Sequence, residues 1–130
     1  MARYRILSLD GGGIRGLITA MLLIRLNRQR GLEGWLERAH LLAGTSTGAL
    51  IVLALAKGLS LEEILALYHD KSDAIFDDSW LDDVKDLGSV IGAQYHSGGL
   101  KRELRRMLGA ARLRDLKKRV LITAFDLDNR

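Results

Sequence analysis

Residues 40–58, "HLLAGTSTGALIVLALAKG", hold an apolar run, a Gly-Thr-Ser-Thr-Gly turn and a second apolar run that a glycine stops. The first run, 40–44, is short and has no polar alternation, as in a strand buried within a sheet. The second, 47–58, is long enough for a buried helix ended by Gly58. Gly44-Thr45-Ser46-Thr47-Gly48 thus spells GxSxG at a strand-to-helix turn, which projects the hydroxyl of its central serine above the end of a sheet. Glycines on both flanks remove Cβ atoms that would collide in so tight a turn. The helix N-terminus behind the serine sets partial positive charge beside any oxygen that becomes negative. Ser46 is therefore a candidate nucleophile, with Gly44, Thr47 and Gly48 supporting it. The alternative is local: Ser46 and Thr47 simply cap the helix that follows.

The same strand-turn-helix order occurs upstream in "LSLDGGGIRGLITAMLL", residues 7–23. A strand over 4–10 runs into a glycine loop, and a helix over 17–30 ends near Gly31. A loop so bare of side chains suits either a phosphate or an oxyanion. Gly11-Gly12-Gly13-Ile14-Arg15-Gly16 satisfies the dinucleotide pattern GxGxxG, which also needs an acidic residue some 20 positions on, at the end of the second strand. Glu33 and Glu37 have about that separation but precede the second strand. No Gly-Lys-Ser/Thr follows, so a P-loop is excluded. An acyl-transfer site needs backbone N–H donors beside its serine, and a glycine loop on a neighbouring strand supplies them. Both readings stand on the residues; the second explains the two loops together.

Downstream, "SLEEILALYHD" (60–70) reads as a helix opened by Ser60 and Glu63 in capping-box spacing, and "RVLITAFDL" (119–127) as a further strand. Residues 71–98, rich in Asp, Gly and Ser, read as a surface excursion with at most a short helical turn. The βαβα order predicts an α/β fold, a mostly parallel sheet with helices on both faces. Its strands are fewer than such sheets usually have.

At 130 residues and 48% hydrophobic, the chain suits one domain with a real core. It has no cysteine, which excludes disulfides and thiolate metal sites and favours a reducing setting such as the cytoplasm. The N-terminus has no signal-peptide pattern, and "LITAMLLI" falls well short of the ~20 apolar residues that span a bilayer. Charge is uneven: residues 1–100 carry 10 basic and 12 acidic side chains, residues 101–130 carry 10 and 4. Leu100, Leu104, Met107 and Leu108 recur at helical spacing within the basic run, which reads first as the solvated face of an amphipathic helix. The same run also suits anionic lipid headgroups. Aromatics are only 5% and do not interleave with the basic residues, which argues against a nucleic-acid platform. His40, His69 and His96 have no flanking pattern that sets them beside Ser46, and their spacing gives no local metal pair. No metal is expected.

"LSLDGGGIRG", "GTSTGALI" and "ITAFDLDNR" together resemble, in order and spacing, the N-terminal half of the patatin-like phospholipases. The resemblance implies an α/β lipid acyl hydrolase acting on a glycerolipid or phospholipid, with peripheral membrane contact allowed and no metal or organic cofactor. It implies a Ser-Asp dyad with Ser46 as nucleophile. Gly11, Gly12 and Gly13 would form the oxyanion loop, and Arg15 would be that loop's basic residue. The alternative for Arg15 is a surface arginine paired with a carboxylate. The family's aspartate, in an Asp-Gly-Gly or Asp-Gly-Ala motif, is expected after Arg130. Residues 1–130 would then be the N-terminal part of a single catalytic domain, cut short at the C-terminus and nearly inactive in isolation. Asp10 belongs to the oxyanion loop, and Asp126 and Asp128 read as strand-end polar residues. The remaining alternatives are a Rossmann-like nucleotide-binding module and a non-catalytic fragment. Geometry decides among them: the strands at 4–10 and 40–44 should be parallel neighbours, and the Ser46 hydroxyl should lie a few ångströms from the glycine loop.

Overall fold

A computed structural model describes residues 3–70 and 98–124. Three strands, β1 (Ile6–Leu9), β2 (Leu41–Gly44) and β3 (Arg119–Ile122), form one parallel sheet in the order β1-β2-β3. The expected neighbours are thus adjacent and parallel, with Ile6 opposite Leu41 and Leu9 opposite Gly44. The strands are shorter than the apolar runs suggested. β1 stops before Asp10, where the glycine loop begins, and residues 125–130 lie outside the described residues, with Asp126 and Asp128 among them.

Among the described residues four helices accompany the sheet: α1 (Gly16–Asn27), α2 (Thr47–Lys57), α3 (Leu61–Asp70) and α4 (Gly98–Leu108). Gly58 ends α2 in the left-handed region at φ 103°, with its amide on the carbonyls of Ala54 and Leu55. A glycine bears that conformation without a Cβ penalty. The capping box of α3 forms as expected: the Ser60 hydroxyl accepts from the Glu63 amide at 3.1 Å, and Glu63 Oε2 accepts from the Ser60 amide at 2.7 Å. The Ser60 amide and hydroxyl both donate to Glu63 Oε2, the latter at 2.8 Å, and hold the Glu63 carboxyl below its ordinary pKa. Before α1 the loop makes a 3-10 turn over Gly13–Arg15, which periodicity could not reveal in so short a piece.

The strand register sets Leu7, Leu42 and Val120 side by side, and Leu9, Gly44 and Ile122 likewise. This face carries α2, whose Ile51, Val52 and Ala54 are buried against it, and α1 joins the same core through Ala20, Leu23 and Ile24. Fully burying Leu42 and Ile51 contributes about 1.5–3 kcal/mol each. The sequence reading set helices on both faces; among the described residues the cover is on one. The other face holds Ile6 and Leu121, 59% and 51% exposed, between the exposed Ser8 and Arg119. A run such as "LLAG" has no alternation to reveal which face stays open.

The segment 71–98 lies outside the described residues except for Gly98, which starts α4. In α4 the amphipathic pattern is realised: Met107 packs against the core, while Arg102, Arg105 and Arg106 are exposed. A 3-10 turn at Leu113–Asp115 then leads to β3, and the Lys118 ammonium donates to the carbonyls of Glu37 and Ala39 at 2.8 and 2.9 Å.

Candidate active site

In a parallel sheet every strand delivers its following loop to the same edge, where open α/β folds build their sites. The glycine loop follows β1 and Ser46 follows β2, so the two meet at that edge. The ladder runs on into the turn, with the Thr45 amide bonded to the Leu9 carbonyl at 3.2 Å. Thr45 and Thr123, at the ends of β2 and β3, share a hydroxyl hydrogen bond of 2.8 Å. Nothing in the sequence singled out Thr123, because the bond joins residues that only the sheet register brings together.

Ser46 has φ 52° and ψ −124°, the only positive φ of a non-glycine residue among those described. Such a conformation costs on the order of 1–3 kcal/mol and persists only where surrounding packing imposes it. The packing here comes from the flanking glycines. A Cβ on Gly48 would stand 2.3 Å from the Leu9 carbonyl oxygen, and one on Gly44 would stand 2.6 Å from the Gly48 backbone. β1, the end of β2 and the first turn of α2 are thus in backbone contact. Gly48→Ala is expected to force α2 off β1 and destabilise the fold by about 1–3 kcal/mol, measurable as a lowered denaturation midpoint with an unchanged slope.

Ser46 stands at the N-cap position of α2, and its carbonyl accepts from the Ala49 and Leu50 amides at 2.9 and 3.2 Å. Its hydroxyl makes no capping bond, so the local capping alternative does not account for the serine side chain. Thr47 does not cap either; its hydroxyl lies 2.6 Å from that of Tyr68 on α3. Nothing in the sequence singled out Tyr68 within the helix expected over 60–70.

Gly11 lies against the serine. A Cβ added there would be 2.9 Å from Ser46 Cβ, 3.2 Å from the Thr45 carbonyl oxygen and 3.7 Å from Ser46 Oγ. Gly12 has more room, its nearest neighbour being Arg15 Nε at 3.5 Å, so a side chain obstructs the serine most directly at Gly11. Gly13 is buried at φ 60° and opens the 3-10 turn. Among the described residues the amides of Gly11 and Gly12 have no protein acceptor. Arg15 closes the turn: its amide and its Nε both donate to the Gly12 carbonyl, at 3.1 and 3.3 Å. Its described partner is thus the loop backbone and not the neighbouring carboxylate of the alternative reading.

Glu33 and Glu37 belong to the connection from α1 to β2, at the N-terminal edge of the sheet and across it from the glycine loop. Glu33 accepts from the Gly31 amide at 3.0 Å, a bond that lowers its pKa. His40 also precedes β2, so the strand separates it from Ser46; its Nδ1 accepts from the Arg5 amide at 3.0 Å and its ring stacks on Tyr4. His69 is exposed near the end of α3, and His96 lies outside the described residues. No described carboxylate bonds the Ser46 hydroxyl.

The patatin-like phospholipase family model matches residues 7–129. The chain is 34% identical over 139 residues to a cGAMP-activated phospholipase of Escherichia coli, an alignment covering 96% of this chain and 37% of the relative. It is 36% identical over 123 residues to a cGAMP-activated phospholipase of Pseudomonas aeruginosa, covering 95% and 36%. Similarity extends to Patatin-like protein 1 of Oryza sativa subsp. indica, 33% identical over 137 residues, covering 96% and 33%. The chain spans about a third of the length of these relatives. A family match over nearly the whole chain, on a parallel sheet that brings a glycine loop against a strained serine turn, means that the chain belongs to the patatin-like phospholipase family.

Proposed function

We propose that the protein to which this chain belongs hydrolyses ester bonds of glycerolipids, phospholipids foremost, through an acyl-serine intermediate on Ser46. The approach of Gly11 to Ser46 carries this reading, because it joins a nucleophile to backbone donors in one site. Two of the similar proteins are named phospholipases, which supports the choice of substrate. Ser46 Oγ attacks the ester carbonyl and gives up its proton. The carbonyl oxygen, now negative, accepts from amides of Gly11, Gly12 and Gly13 while the alcohol leaves with a proton. Water then attacks the acyl-serine and releases a fatty acid. The base is an aspartate expected after Arg130, raised in pKa by partial burial so that it accepts a proton near neutrality. Neither a metal nor an organic cofactor enters these steps. Residues 1–130 act as the N-terminal part of a single catalytic domain.

We infer a cytoplasmic protein from the absence of cysteine, one that touches membranes peripherally. No helix among the described residues is long and apolar enough to cross a bilayer. The exposed Arg102, Arg105 and Arg106 of α4 suit the headgroups of an anionic leaflet. The dinucleotide alternative lacks support, since its ribose-binding acid should end the second strand and β2 runs instead into Gly44, Thr45 and Ser46.

Release of free fatty acid by the full-length protein tests the reading, on neutral phosphatidylcholine vesicles and on vesicles doped with phosphatidylglycerol. Hydrolysis of both is expected, faster on the anionic ones. Each basic side chain at such a surface contributes about 1 kcal/mol, roughly five-fold in binding. Glutamine at Arg102, Arg105 and Arg106 should therefore remove the anionic advantage and leave hydrolysis of neutral vesicles unchanged. A protein that releases no fatty acid, and is stabilised thermally by a dinucleotide, would refute the hydrolase reading.

A further inference from the structure

We propose that Tyr68 is a positioning residue for acyl transfer, holding both halves of the site from behind. The inference rests on the acyl-hydrolase reading of Ser46 and deepens it. Tyr68 and Thr47 are 5% and 1% exposed, and Thr47 is the one buried polar residue among those described. The Tyr68 hydroxyl donates to the Thr47 carbonyl at 3.0 Å and lies 2.6 Å from Thr47 Oγ1. A phenol has one proton to give, so the second bond has the Thr47 hydroxyl donating to the Tyr68 oxygen. Two hydrogen bonds from α3 therefore fix the residue that follows Ser46, in the first turn of α2.

The tyrosine ring fixes the other half. A Cβ on Gly16, where α1 leaves the glycine loop, would stand 2.6 Å from Thr47 Oγ1, 2.6 Å from Tyr68 Cε1 and 2.9 Å from Tyr68 Cζ. Gly16 is thus seated on the Tyr68–Thr47 pair, which sets the distance between the oxyanion loop and the serine turn. Burial raises the Tyr68 pKa, so the hydroxyl remains a donor around neutral pH. Ser46, held at φ 52°, depends on such support, since its conformation is unfavourable without it.

The test uses the full-length protein with Tyr68→Phe, which keeps the ring against Gly16 and removes the hydroxyl, and with the pair Thr47→Val/Tyr68→Phe. Steady-state kcat and KM on a soluble short-chain ester, the rate of fluorophosphonate labelling of Ser46, and Tm are measured for each. Tyr68→Phe is expected to lower kcat and the labelling rate by about 10²-fold, the loss typical of a ~1 Å misplacement, with KM within two-fold and Tm reduced. In the pair both hydroxyls are gone, so neither is left without the other and Tm should recover in part, while kcat should stay low because the hydroxyl bonds between the turn and α3 are lost. A wild-type kcat in Tyr68→Phe, or a kcat that recovers together with Tm in the pair, overturns the proposal by reducing Tyr68 to a structural role. If Tyr68→Phe does not fold, the pair decides by its kcat. A wild-type protein that the fluorophosphonate does not label overturns the hydrolase reading itself, and this inference with it.

Discussion

Ser46→Ala in the full-length protein is expected to abolish fluorophosphonate labelling and to cut ester turnover by on the order of 10⁴-fold or more, the scale seen when a serine hydrolase loses its nucleophile. The residual rate would come from the oxyanion donors and substrate binding. The fold should survive, because the Ser46 hydroxyl makes no capping bond and the backbone bonds of the turn do not involve the side chain. Ser46→Gly makes the companion measurement. Glycine adopts the region near φ 52° freely, so this variant should be as inactive as alanine but melt at a higher temperature. Turnover that persists in either variant would show that another group forms the acyl-enzyme.

Gly11→Ala should lower kcat/KM by on the order of 10² to 10³-fold, roughly 2.7 to 4 kcal/mol, the loss that follows removal of one oxyanion donor. The new methyl would stand 2.9 Å from Ser46 Cβ and 3.2 Å from the Thr45 carbonyl oxygen. Neither neighbour is the free end of a flexible side chain, so the loop must withdraw and carry its amides away from the reacting carbonyl. The same change at Gly12 meets no such contact, its nearest neighbour being Arg15 Nε at 3.5 Å, but strains a backbone at φ 158° that glycine bears freely. Comparing the two variants on one soluble ester separates crowding at the serine from a general disturbance of the loop. An undiminished kcat/KM in Gly11→Ala would contradict the geometry.

Much of the site was legible because its signals are local. GxSxG after an apolar strand and before an apolar helix announces a strained turn whatever lies around it, and Ser46 does take that conformation. Gly58 ending α2 and the Ser60–Glu63 cap are likewise settled within a few residues of chain. The order of strands and helices also follows from periodicity, since each element must bury its apolar side to exist.

What the sequence by itself determined is therefore the described strands and longer helices, their parallel order, the serine turn and the glycine loop. The tertiary structure decided which of these glycines touches the serine, where the Arg15 side chain bonds, and that Tyr68 and Thr123 belong to the neighbourhood of the turn. It also decided which sheet face is covered, and that Glu33 and His40 lie across the sheet from Ser46. The physical reason is range. Caps, turns and periodic faces are fixed by neighbours three or four residues away, whereas Thr45 meets Thr123 and Thr47 meets Tyr68 only after the parallel register and the seating of α3 are in place.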